Sequence, residues 1–189
     1  MSTRPIARSL FVVASMLSAH AALADATPTY NANITEAEVL AAQNAWGAAL
    51  LQIGKVNETE GHAKAKELAS AVLDGAYGYN LGPVLFKPTL AEAPHTFRTT
   101  KDGALSYFVG GDSDYPKDTG FALKAWQAVE IKNVAIHING DVANTMGNVI
   151  FTGKDGSKTA VDKTWTFKKT DDGKLRIVLH HSSLPYSPN

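Results

Sequence analysis

The sequence predicts an α+β fold in which N-terminal helices pack on a curved antiparallel sheet. Two observations carry that prediction. Apolar residues recur at helical spacing through the first third of the folded region, and after Phe121 the pattern changes to long β-type runs joined by tight turns. Helices first and sheet second is the signature of segregated α+β architecture rather than alternating β/α units.

Residues 1–24 read as a secretory signal peptide. Arg4 and Arg8 lie in a stretch without acids, Ser9 to Ala22 is mostly apolar, and Ala22-Leu23-Ala24 forms a small-x-small cleavage site. The apolar run falls short of the ~20 residues that span a bilayer, so the expectation is export to the periplasm without a membrane anchor. Residues 25–33 form a polar lead with no periodicity. A single domain is expected over 34–189.

Thr35-Glu-Ala-Glu38 is a capping box, with Thr35 as N-cap and Ile34 and Val39 as the hydrophobic staple. Val39, Ala42, Trp46, Ala49, Leu50 and Ile53 follow at helical spacing, with Trp46 read as core and Gly54 expected to close the helix. Lys55 to Gly61 reads as a polar linker. Ala63 to Leu73 reads as a second helix ended by Gly75. Tyr77 to Pro83 is turn chemistry carrying two aromatics, and Val84 to Lys87 is a short strand confined to an edge by Pro88. Thr96 to Thr99 is a plausible partner strand. Lys101 to Val109 reads as a short helix, broken by Gly110-Gly111. Ala125 to Ile138, Val142 to Thr152, Ser157 to Lys169 and Lys174 to Ser182 then form a four-stranded meander, its first turn marked by Asn139-Gly140. Helices of this length cover one face of the sheet, so a homodimer packed sheet on sheet is expected.

Composition excludes several classes. Of 189 residues, 18 are basic and 18 acidic, and there is no cysteine. Removing the leader takes Arg4 and Arg8 with it, which leaves the domain slightly acidic. Without a basic stripe, nucleic acid is not an expected partner. Cysteine nucleophiles, disulfides and thiolate metal sites are excluded outright. No phosphate loop, dinucleotide fingerprint, HExxH or GxSxG occurs.

The chemistry concentrates in the last strand, where Leu175 to Leu179 opens into His180-His181-Ser182-Ser183. Strand side chains alternate between faces, so His180 and Ser182 share one face and His181 and Ser183 the other. Adjacent strand histidines point apart and cannot chelate one metal together; a zinc site would need further ligands that the spacing does not name. His62, His95 and His137 read as isolated loop or surface residues. Asp162 and Glu130 read as strand acids that are solvated, or paired with the neighbouring Lys163 and Lys132. Thr89, after the Pro88 break, Tyr107 on the short helix, His180 and Ser182 remain as a candidate polar pocket.

Several stretches together resemble the iota-class carbonic anhydrases, within the calcium/calmodulin-dependent kinase II association-domain branch of the cone-shaped nuclear-transport-factor-2-like fold. They are Asp74 to Pro83, Phe86-Lys-Pro-Thr-Leu90, Thr96 to Thr100, Gly103 to Gly111, Thr145-Met-Gly-Asn148, Asp162-Lys-Thr-Trp165 and His180-His-Ser-Ser-Leu-Pro185. The resemblance implies reversible hydration of carbon dioxide to bicarbonate and a proton, dimers, and a pocket lined by Thr89, Tyr107, His180 and Ser182. It also implies members that need no metal cofactor. On this reading the hydroxyls hold water and carbon dioxide, and His180, with a reference pKa near 6.5, is the expected proton acceptor, with Tyr107 as its rival. The alternatives are a zinc or manganese enzyme using His180 or His181 as ligand, and a non-catalytic module that binds a small apolar ligand or acts through its dimer surface.

Overall fold

The computed structural model describes residues 31–188. The expected leader over 1–24 and most of the lead over 25–33 lie outside the described residues. Three α-helices, α1 (Glu36–Glu60), α2 (His62–Ala76) and α3 (Lys101–Val109), combine with β1 (Leu85–Lys87), β2 (Ala128–Asn139), β3 (Val142–Thr152), β4 (Lys158–Lys169) and β5 (Leu175–Ser183).

The capping box forms as the sequence predicts. The Thr35 N–H donates to Glu38 Oε2 at 2.8 Å, the Glu38 N–H donates to Thr35 Oγ1 at 3.3 Å, and the staple residues Ile34 and Val39 are buried. Gly54 does not end α1, which runs on through the expected linker to Glu60. The glycine answers to packing instead: a Cβ there would sit 2.8 Å from the Ala122 carbonyl oxygen. Gly61, at φ +89°, makes the break. Likewise α2 continues past Gly75 to Ala76.

The sheet order is β1-β5-β4-β3-β2, with β2 to β5 forming the expected antiparallel meander. β1 pairs with β5 in parallel, in the register Phe86↔His180. Thr96 to Thr99 is not a strand; it contributes one backbone bond, Arg98 N–H to the Phe86 carbonyl at 2.8 Å. Register shifts at Asn133/Ala135 and Thr166/Phe167 interrupt the ladders, and such bulges bend strands.

The helices cover the inner face. Val161, Trp165 and Phe167 of β4 interdigitate there with Trp46, Leu50 and Ile53 of α1 and Ala69 and Leu73 of α2. The opposite face carries Val134, Met146 and Leu85, each more than half exposed.

An ion pair buried on both sides braces α3. Arg98 donates through both Nη atoms to Asp118, at 2.5 and 2.8 Å, while Asp118 also accepts from the Ser106 hydroxyl at 2.6 Å and Arg98 donates to the Gly103 carbonyl at 2.9 Å. Removing one member of such a pair strands the other charge and costs about 3–5 kcal/mol. The brace fixes the helix that carries Tyr107.

Candidate active site

Strand pairing assembles the pocket. Parallel pairing of Phe86 with His180 carries the chain past Pro88 so that Thr89 arrives beside Ser182, and their hydroxyl oxygens are 2.5 Å apart. Across the sheet, Ser182 is the direct partner of Lys163, and His180 that of Trp165. Tyr107 enters from α3, packed edge-on against Phe86 and stacked on Phe121. Thr89, Tyr107, His180 and Ser182 therefore line one cavity, with Phe86, Pro88, Phe108, Phe121, Trp46 and Lys163. The enclosed space admits about one water-sized body. A roomier groove between α1, α2 and β5 shares only Trp46 with it and is walled mainly by alanines, Val72 and Phe167. That groove is lined by Lys174 and Arg176 as well but offers no hydroxyl or imidazole, so size does not decide the site.

His180 is fully inside, packed against the rings of Phe86, 4.4 Å away, and Tyr77, 5.9 Å away. Its Nδ1 lies 2.7 Å from the Tyr77 hydroxyl, which also accepts from the Trp46 indole N–H at 3.0 Å. Its Nε2 lies 2.5 Å from Lys163 Nζ. Burial, then the neighbouring Lys163 and His181, hold its pKa well below the usual histidine range. The expected role of His180 as proton acceptor does not fit this setting. Both ring nitrogens are already engaged, so no lone pair of the ring is free to take a proton from water. The same engagement leaves His180 no free lone pair for a metal, and His181 faces away to the exposed side of the sheet. Among the described residues no three histidine or acidic side chains gather as a metal cluster.

Tyr107 does not fit the role of rival base. Burial raises its pKa, although hydrogen bonds from Leu90 and Thr89 pull the other way. Tyr107 thus stays a neutral phenol near neutral pH, able to donate a hydrogen bond but not to take up a proton.

Sequence reasoning missed three members of this cluster. The sequence shows Tyr77 as turn chemistry, Lys163 only as the basic neighbour of Asp162, and Trp46 as core, which it is, while its indole N–H also donates to Tyr77. Asp162 does point outward, accepting from the Asn148 amide at 2.9 Å. Lys163 points the other way and is 5% exposed, with Nζ 4.8 Å and 5.2 Å from the Trp46 and Trp165 rings. The signal was present: Val161, Lys163, Trp165 and Phe167 alternate, so the lysine holds an inward position.

Comparison with known proteins identifies the family. Residues 37–184 match the sequence pattern of the family described as metal-independent carbonic anhydrase. A metal-independent carbonic anhydrase from a Nostoc species is 63% identical over 160 residues, covering 85% of this chain and 78% of the relative. Among solved structures, the chain is similar to a cyanobacterial iota-carbonic anhydrase crystallised with bicarbonate. That match has 62% identity and a TM-score of 0.84, over 86% of this chain and 99% of the other. A calcium/calmodulin-dependent kinase II association domain from Xanthomonas campestris shares the fold at 23% identity and a TM-score of 0.53, over 82% and 91% of the two chains.

Proposed function

This chain belongs to the metal-independent carbonic anhydrase family, and we propose that it interconverts carbon dioxide and bicarbonate in the cavity between β1, β5 and α3. The observation that carries this reading is the meeting of the Thr89 and Ser182 hydroxyls beside His180 and Tyr107. The similar enzyme solved with bicarbonate supports the same product here.

Carbon dioxide is apolar, and Phe86, Phe108 and Phe121 give it an apolar wall. Thr89 and Ser182 hold the attacking water by accepting its hydrogen bonds or donating to it. As the carbon is attacked, negative charge grows on the former carbon dioxide oxygens. The neutral Tyr107 hydroxyl, with the hydroxyls of Thr89 and Ser182, donates to those oxygens, and such preorganised donors are strongest where bulk water is excluded. His180 serves by position, filling the floor of the pocket and holding Lys163 and Tyr77 in place.

The test is hydration of carbon dioxide by purified protein after exhaustive chelation, with metal quantified in the same sample. Full activity without stoichiometric metal is expected; activity lost on chelation and restored by zinc or manganese would overturn the reading. Tyr107→Phe is expected to lower kcat/KM by about 100-fold with the fold intact.

The same reading extends to assembly and location. A second copy packing on the outer sheet face is supported by Val134, Phe97, Met146 and Leu85, which are 80%, 70%, 62% and 60% exposed. Light scattering would show a dimer, and Val134→Glu with Met146→Glu would dissociate it. Export with cleavage after Ala24 would leave Asp25 as the first residue of protein recovered from the periplasm.

A further inference from the structure

Hydrating carbon dioxide releases a proton inside a largely buried pocket, and neither His180 nor Tyr107 is placed to take it. Lys163 is the remaining basic group that lines the cavity. Its surroundings are unusual for a lysine. The neighbouring β5 presents His180 and Ser182, α3 presents Tyr107, and the Lys-Pro-Thr corner presents Thr89. Among the described residues no carboxylate pairs with it: Asp162 lies on the opposite face with Asn148, and Asp118 is held by Arg98 and Ser106. Instead its Nζ lies beside the Trp46 and Trp165 indoles, 4.8 and 5.2 Å from the ring centres, and in contact with an imidazole nitrogen.

We propose that Lys163 is the proton acceptor of the hydration step: its unprotonated amine takes the proton from the attacking water, and the ammonium so formed pairs with the nascent bicarbonate. The step balances within the pocket. A water O–H bond breaks, its electron pair forms the new C–O bond, one C=O bond opens onto oxygen, and the proton forms a third N–H bond on Nζ. Water, carbon dioxide and an amine, all neutral, become an anion and a cation in contact. The pocket gains no net charge, which is what a buried site requires.

The hydrogen-bond frame admits both states without rearrangement. With the imidazole proton on Nδ1, His180 donates to the Tyr77 oxygen and its Nε2 accepts from Lys163. That bond needs only one N–H on Nζ, so it holds whether the group is an amine or an ammonium. Burial, with no acid to offset it, lowers the lysine pKa well below its ordinary value. The amine is thereby available before the reaction. A bicarbonate product supplies the missing counter-charge and raises its basicity as the proton arrives. In the dehydration direction the same ammonium returns the proton to the leaving hydroxyl.

This inference rests on the activity proposed above, and its tests separate the two. If the wild type does not hydrate carbon dioxide, the activity itself fails; if the wild type is active, the following outcomes bear on Lys163 alone. Lys163→Met keeps the length and apolar stem without a basic nitrogen. It is expected to lose at least 100-fold in kcat, with partial recovery in small primary amines or imidazole and with bicarbonate still bound. A kcat within threefold of wild type, with an unchanged pH profile, would overturn the assignment.

A second measurement needs no variant. In lysine-labelled wild type, the Lys163 ε-carbon and nitrogen resonances are expected to report an amine at pH 7 and to shift to ammonium on saturation with bicarbonate. An ammonium already present in the free protein, or a carbamate formed on Nζ, would overturn it, because either leaves no lone pair for the proton.

Discussion

The two faces of β5 carry nearly the same side chains and do opposite things. His180 and Ser182 point inward, where both are almost completely buried. His181 and Ser183, each one residue further along, point to the other side of the sheet, and His181 is exposed. Inside, both polar side chains of the strand are bound to other functional groups: imidazole to Tyr77 and Lys163, hydroxyl to Thr89. Outside, water can serve each group equally well. A histidine or serine has no fixed chemical meaning on a strand; the parity of its position assigns it.

The sharpest way to test that contrast is a matched pair of serine substitutions. Ser182→Ala is expected to lower kcat/KM by about 100-fold, since it removes a hydroxyl aimed at developing charge. Ser183→Ala, one residue away, is expected to stay within about twofold of wild type. Equal losses in the two variants, read from initial rates, would break the comparison.

The histidine pair differs in stability as well as activity. His180→Leu leaves the Lys163 amine and the Tyr77 hydroxyl without their partner, at a cost of about 2–3 kcal/mol in urea denaturation. His181→Leu exchanges one solvated group for another, so its expected change is within about 0.5 kcal/mol.

Acid titration sharpens the contrast further. The folded protein holds His180 neutral well below its ordinary pKa, so below about pH 6.5 the unfolded chain binds the proton that the folded chain refuses. Stability from this residue is therefore complete above pH 6.5. It is lost as pH falls toward the lowered folded value, at up to about 1.4 kcal/mol per pH unit. Lys163 acts in the same sense, starting from the ordinary lysine range. His180→Gln should remove one proton equivalent from the slope between pH 6.5 and 5, measured by denaturation at each pH; an unchanged slope would show that His180 is not held neutral.

A loss of stability with little change in activity is expected away from both faces. Gly54→Ala brings a Cβ to 2.8 Å from the Ala122 carbonyl and should cost about 1–3 kcal/mol in stability while leaving kcat within a factor of about two. Glycine was read at this position as a helix end, and the difference is instructive. A glycine needed for close approach and a glycine needed to stop a helix look alike until the neighbouring segment is known.

The order of elements, the capping box at Thr35, the four-stranded meander and the shared face of His180 and Ser182 were legible in the sequence, because each follows from local periodicity, capping or turn chemistry. The family resemblance named Thr89 and Tyr107 for the same pocket. Tertiary structure alone decided how those residues meet. Nothing in the spacing of Thr89 and Ser182, 93 positions apart, sets their hydroxyls in contact; the parallel β1–β5 pairing does. The fate of Lys163 was half visible, since alternation pointed it inward, but a lone lysine reads as solvated until Trp46, Trp165 and His180 close around it. Local sequence sets direction and period. Which groups are dried, paired or left without a counter-charge depends on contacts between distant segments, and those environments fix the protonation states on which this chemistry depends.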